Sequence, residues 1–311
     1  MKIERLGVLL SPDTEKEAKF NAGMVRSGDT VHMLYRYAQI LDYEDGGKVR
    51  YSANQIHYAR LSREGTVCED RFDEPVLFPH DEWDRAGCED PRIVLFEGRY
   101  YIFYSAFDGT VCRVGVAVTD DFSHFERLGV IPTRQWDKDA FIFPERIGGK
   151  IAYMHRIEPD IEIDFFDRME DLFEDAFWEN YHKQQRVLLT GVQPWENQRI
   201  GGSVPPIKTP IGWLIIYHGV SDDRVPVCYR AGAALLDLDD PTKVIARLPE
   251  PLLSPQTDYE CVGDVNNVVF PQGAYLDGEW LVISYGAADK RVALARVRLD
   301  ELLKELDQNR I

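Results

Sequence analysis

The stretch Gly87-Cys88-Glu89-Asp90-Pro91-Arg92-Ile93 holds the residues best suited to acid–base chemistry. Two adjacent carboxylates stand beside a proline and an arginine, and a strand-like run, Tyr100-Tyr101-Ile102-Phe103-Tyr104, follows. Proline fixes its own φ and biases the preceding residue toward extended backbone, so Asp90 and Arg92 are expected on one face of a strand. Such a carboxyl reads either as a general acid or as a neutralised carboxylate at a strand entrance, and the motif alone does not separate the two. The basic candidates are Lys138, His155, Arg156, Arg199, Lys208, His218 and Arg230. In Arg199-Ile200-Gly201-Gly202-Ser203-Val204-Pro205-Pro206-Ile207-Lys208-Thr209, two glycines permit close backbone approach to a ligand and two prolines stiffen the arm carrying Lys208. A Lys, an Arg and a His converging inside an acidic chain would hold a small tetrahedral anion, most simply phosphate. The chain has no GxxxxGK[ST] motif, so this is no P-loop.

These residues belong to a phrase that recurs five times, at residues 28–36, 97–104, 148–156, 212–218 and 277–285. Each copy is a Gly or Asp turn followed by an aromatic and β-branched strand, usually answered by a strand of small and apolar residues. Starts about 50–70 residues apart mean radial repetition, with enough strand in each copy for one four-stranded blade. The pattern predicts an all-β, five-bladed β-propeller spanning residues 1–311 as a single catalytic domain. A β-sandwich or two β domains are the alternative, disfavoured because no Pro/Gly/Ser-rich linker divides the chain. Helix is expected only as a turn or two within residues 165–181 and as a short C-terminal helix at residues 299–306. Arg36, Tyr104, His155, Arg156, His218 and Asp289 end apolar strands read as innermost, and so are expected at the mouth of the central channel.

Composition narrows the partners. Against 36 Lys and Arg stand 53 Asp and Glu, a formal net charge of −17. That charge repels phosphate backbones and anionic bilayers, so nucleic acid and membrane surfaces are not expected partners. Five cysteines without a CxxC pair suggest neither a disulfide framework nor a zinc site, and fit a reducing cytoplasm. The segment from Met1 lacks a secretory h-region, and no apolar run approaches the roughly 18–20 residues of a membrane span.

The motifs Gly87-Cys88-Glu89-Asp90-Pro91-Arg92-Ile93, Phe143-Pro144-Glu145, Met154-His155-Arg156, Pro205-Pro206-Ile207-Lys208-Thr209, Ile216-Tyr217-His218-Gly219, Asn267-Val268-Val269-Phe270-Pro271 and Tyr285-Gly286-Ala287-Ala288-Asp289 resemble, in order, those of the β-mannoside phosphorylases of glycoside hydrolase family 130. The resemblance covers nearly the whole chain and implies a five-bladed propeller. It implies inverting phosphorolysis of β-1,2- or β-1,4-linked manno-oligosaccharides, giving α-mannose 1-phosphate and a shortened sugar. Asp90 would be the catalytic acid, protonated near neutral pH and donating through the mannose 3-hydroxyl. Arg156, Lys208 and Tyr229 would hold phosphate, with Lys138 and His218 nearby. Asn21, Arg36, Arg60, Glu89, Arg92, Tyr104, His155 and Asp289 would bind sugar, Arg92 pairing with hydroxyls or Glu89. Trp83, Phe107, Trp136 and Trp195 are stacking candidates for the acceptor. No metal or organic cofactor is implied, phosphate being the co-substrate.

Two other functions use the same residues. A β-mannosidase on this scaffold would place a glutamate where phosphate lies, the candidates being Glu158, Glu196 and Glu260. A non-catalytic sugar-binding propeller would bind without turnover. Linkage and acceptor are expected to be set by loops within residues 41–54 and 164–195, which are also candidates for homo-oligomer contacts.

Overall fold

The computed structural model describes residues 1–43, 49–181, 185–224 and 227–311. Five antiparallel sheets stand around one axis. Blade one runs outward through Glu17–Ser27, Thr30–Tyr43, Gln55–Leu61 and Cys68–Arg71, with the short strand Val49–Tyr51 pairing off its path. Blade two is Gly87–Phe96, Arg99–Phe107, Cys112–Thr119 and Glu126–Ile131. Blade three is Asp137–Ile142, Ile151–Ile157, Ile161–Phe166 and Val187–Leu189. Blade four is Arg199–Thr209, Gly212–Ser221, Cys228–Leu236 and Val244–Arg247. Blade five, Val269–Asp277, Trp280–Ala287 and Arg291–Arg298, takes its outermost strand, Ile3–Leu10, from the other end of the chain. That pairing ties the two ends of the chain together within one blade and so closes the ring. Within the loop after blade three's third strand, the turns Met169–Phe173 and Asp175–Trp178 bury Leu172 and Trp178. The C-terminal helix Leu299–Gln308 sets Leu302 and Leu306 into the core shared by blades four and five. Among the described residues no helix is long and apolar enough to cross a membrane.

The recurring phrase of the sequence is the second strand of each blade, not the innermost one. The innermost strands precede it, and they share a device that periodicity does not show. Each one slips register by a bulge: at Asn21, at Asp90-Pro91, at Asp139-Ala140, between Gly202 and Val204, and between Pro271 and Gly273. A bulge leaves a residue outside the ladder and re-aims its side chain. The bulged positions therefore carry one buried polar side chain per blade: Asn21, Asp90, Asp139, Ser203 and Gln272. Asn21, Asp90 and Asp139 take φ of 46°, 52° and 58°, a left-handed conformation that Asn and Asp tolerate better than other side chains. The extended Asp90 anticipated from its proline neighbour is thus absent. The bulge overrides the local preference.

The bulges let the inner strands approach backbone to backbone. Gln272 Nε2 donates to the Pro91 carbonyl at 3.0 Å, and a Cβ on Gly23 would sit 2.4 Å from that same oxygen. Gly23→Ala must therefore separate blades one and two. We expect a loss of about 1–3 kcal/mol, read as a lower urea midpoint.

Candidate active site

The bulged carboxylates open into a cavity of about 220 Å³ at one end of the axis. Asn21, Arg36, Asp90 and Asp289 line one side of it, and Lys138, Asp139, Arg156, His218 and Tyr229 the other. Trp136, Glu158, Arg199 and Phe270 complete the wall.

Asp90 is buried, and its Oδ1 accepts from Asn21 Nδ2 at 2.8 Å and Arg36 Nη1 at 3.1 Å. Arg36 reaches this point because Phe20 stacks under its guanidinium, while Glu89 at 3.0 Å and Asn54 at 3.0 Å take its other nitrogens. Three carboxyls surround this one cation, and their protons separate. Burial raises Asp90, but Arg36, Lys138 and the Asn21 hydrogen bond outweigh it and hold the carboxyl below the usual range. Burial raises Glu89 beyond what Arg36 pulls back. Asp289 rises to about 7, driven by burial, with Arg36 opposing and the negative Asp90 adding. The chain's own charges therefore favour an ionised Asp90 over the protonated one expected. Asp289, at about 7, is partly protonated near neutral pH.

The opposite wall is built on Asp139, which the sequence reading missed. Its Oδ1 accepts from Arg92 Nη2 at 2.8 Å, and its Oδ2 lies 2.9 Å from Arg156 Nε and 3.7 Å from His218 Nε2. Burial works against its charge, but Arg156, Arg92, His218 and Lys138 hold it far below the usual carboxylate range. His218 is pushed down to about 3, chiefly by burial, so it is a neutral imidazole with Ser203 Oγ 3.0 Å from Nδ1. Arg199 Nη2 donates to Tyr229 Oη at 2.7 Å. The Gly201-Gly202 pair serves this packing rather than a ligand. A Cβ on Gly201 would fall 2.4 Å from His218 and 2.6 Å from Asp139.

Several assignments need correction. Lys208 lies at the far end of the inner strand from Arg199, about 30 Å away at ~3.3 Å per residue. There it is 54 % exposed, over Trp213 and 2.5 Å from Glu145. The stiff Pro-Pro arm runs down the axis to the opposite face of the ring. Arg60 sits four residues past Ile56, the partner of Arg36, and is 50 % exposed beside Glu69 and Asp70. Arg92 is buried, and four of its five N–H groups go to Asp139 and the Asp90, Gly202 and Ser203 carbonyls, so its charge is spent on the protein rather than on sugar or Glu89. Tyr104 points into blade two, where Arg127 Nη1 donates to its hydroxyl at 2.9 Å. His155 is buried behind the wall between Asp137 at 3.1 Å and Asp164 at 3.2 Å. Burial lowers it, but the two carboxylates raise it to about 10, making it a structural imidazolium. Trp195 is buried on Tyr217 and is no stacking platform, whereas Trp136 is exposed at the rim with Phe107 beside it. Glu196 and Glu260 are engaged elsewhere, by Arg247 and Arg5. Only Glu158 of the three suspected glutamates lines the cavity. Residues 44–48 and 182–184 of the proposed specificity loops lie outside the described residues.

Because Asp139 compensates two buried guanidiniums, Asp139→Asn leaves uncompensated charge in the interior. We expect a loss of about 3–5 kcal/mol in urea unfolding at neutral pH. The carboxylate's folded pKa lies below its unfolded value, so its contribution is full above about pH 4 and fades as pH falls. The gap between variant and parent must therefore narrow in acid.

A sequence profile of glycoside hydrolase family 130, described as beta-1,4-mannooligosaccharide phosphorylase, matches residues 4–308. A 1,2-beta-oligomannan phosphorylase of Thermoanaerobacter sp. (strain X514) is 35% identical, covering 97% of this chain and 99% of its own. A beta-1,2-mannobiose phosphorylase of the same organism is 37% identical over 94% of this chain and 96% of its own. The solved beta-1,2-mannobiose phosphorylase of Listeria innocua superposes with a TM-score of 0.83 at 30% identity, covering 99% of this chain and 100% of that one. With the profile spanning the five-bladed propeller and relatives of this identity over nearly its whole length, the chain belongs to glycoside hydrolase family 130.

Proposed function

We propose that this enzyme cleaves β-mannosides with inorganic phosphate, giving α-mannose 1-phosphate and a shortened sugar with inversion, and that the linkage it prefers is β-1,2. The observation that carries the reading is the division of the cavity: Asp90 on one wall, Arg156, Lys138 and His218 on the other, with Arg199 at the rim. An inverting hydrolase needs a second carboxylate to activate water. Phosphate is already a nucleophile, so one acid and an anion cradle suffice, with no metal or organic cofactor in the proposed chemistry. The linkage rests on the full-length relatives, which act on β-1,2-mannosides. Five free cysteines fit a cytoplasmic setting, where the sugar phosphate is retained.

The ionised Asp90 becomes an acid when the field around it changes. Phosphate on Arg156 and Lys138 neutralises one of the cations that hold its carboxyl low, and its negative charge raises Asp90 further. A proton carried into the complex by the Glu89, Asp90 and Asp289 cluster then reaches the leaving oxygen through a sugar hydroxyl. Arg36, Asn21 and Asp289 bind the mannose in this scheme. Hydrolysis is the second reading, because Glu158 stands beside the arginines where a water-activating base would sit.

Mannose 1-phosphate release from β-1,2-mannobiose should require phosphate and exceed that from β-1,4-mannobiose. Free mannose formed at the same rate without phosphate selects the hydrolase. Asp90→Asn should lower kcat about 10²–10⁴-fold while mannobiose still binds, which separates an enzyme from a sugar binder. Lys208→Ala should leave the phosphate KM within about twofold, since an exposed ion pair far from the cavity has little to lose. The activity should fall as pH rises through about 7, where Asp289 loses its proton, and Asp289→Asn should abolish that limb of the profile.

A further inference from the structure

We infer that Glu158 is a resident counter-anion that phosphate must displace, and that it thereby sets the affinity of the phosphate subsite. The inference rests on the phosphorolysis reading and deepens it. Arg156 is the buried cation of the anion wall, 1 % exposed, and carboxylates occupy two of its nitrogens. Asp139 Oδ2 lies 2.9 Å from its Nε and Glu158 Oε1 lies 3.2 Å from its Nη1. The same Glu158 oxygen is 3.6 Å from Arg199 Nε, so one carboxylate oxygen bridges the two arginines as an oxygen of a bound anion would.

The two carboxylates differ in whether they can leave. Asp139 is fully enclosed and also neutralises Arg92, so moving it would strand two buried charges. Glu158 lies just past the end of the strand Ile151–Ile157 and is 48 % exposed, so it can turn into water with little desolvation to undo. Competition for the same nitrogens calls for the move. Four cations, Arg36, Lys138, Arg156 and Arg199, line a cavity that also holds four acids, Asp90, Asp139, Glu158 and Asp289. Asp90 and Asp139 keep their partners, and Asp289, raised to about 7, is only partly ionised near neutral pH. Glu158 is the remaining charge that competes directly with phosphate for Arg156 and Arg199. In its absence those guanidiniums would be free to grip the anion, and the apparent affinity would rise by the share of time that Glu158 blocks them. Its presence keeps the arginines paired between turnovers.

The test is calorimetric titration of inorganic phosphate into the whole enzyme and into Glu158→Gln, which keeps shape and removes charge, with Glu158→Ser as a second variant. We expect phosphate to bind about three- to tenfold more tightly to both variants, and the phosphate KM in phosphorolysis of β-1,2-mannobiose to fall in parallel. Mannobiose affinity measured without phosphate should shift less. Unchanged or weaker phosphate binding in the variants, with turnover still phosphate-dependent, would overturn the inference and leave phosphorolysis standing. A parent enzyme that neither binds phosphate nor needs it overturns both. Loss of phosphate-free mannose release in Glu158→Gln alone would identify Glu158 as a hydrolytic base, and overturn the counter-anion role.

Discussion

Asp139 is the fixed point of the site. A carboxylate with no access to water survives only because guanidiniums from two other strands close on it, Arg92 from blade two and Arg156 from blade three's second strand. Removing one side of such an arrangement is far more damaging than never having built it. Arg92 ties this anchor to the acid as well. It donates to the backbone carbonyl of Asp90 at 3.1 Å and to the carbonyls of Gly202 and Ser203 at 2.9 and 3.2 Å. One guanidinium therefore sets the relative positions of three blades, and the two halves of the cavity cannot drift apart without breaking it.

The five-fold bulge explains how a fold made of apolar strands presents polar groups at its axis. Regular inner strands would point alternate side chains into neighbouring blades and leave the channel lined by chance. Slipping one residue in each strand at the same level turns Asn21, Asp90, Asp139, Ser203 and Gln272 inward together. They then satisfy one another's neighbourhoods: Asn21 bonds Asp90, Ser203 bonds His218, and Gln272 bonds the Pro91 carbonyl. The left-handed backbone at three of these positions is strain of the kind that local propensity avoids and a surrounding fold can impose. The overall charge of −17 makes this cluster of cations a local exception, with Arg36, Arg156 and Arg199 each beside a carboxylate.

Much of this was readable from residues alone. The five aromatic phrases carried the blade count because second strands are sandwiched between blades and must be apolar on both faces. Glu89-Asp90-Pro91-Arg92 and Met154-His155-Arg156 marked the two walls. What failed has a common cause: a linear motif does not tell which end of a strand faces the cavity. Lys208 lies on the strand that starts at the cavity with Arg199, but nine residues beyond it, and Arg60 lies four residues past the partner of Arg36. His155 and Arg92 sit in the right motifs with their charge spent on buried carboxylates. Asp139 had a faint signal, the Asp137-Lys138-Asp139 run where an inner strand should be apolar, and it lay outside the repeated phrase.

Everything proposed for the site requires an anion held by Arg156 and faced by Asp90 across one cavity. A crystal structure of the enzyme soaked in phosphate measures this most directly. The account predicts a phosphate oxygen within hydrogen-bonding distance of the Arg156 guanidinium and of His218, with the Glu158 side chain turned toward solvent. An anion found instead beside Lys208 on the opposite face, with Glu158 still seated on Arg156, would contradict it.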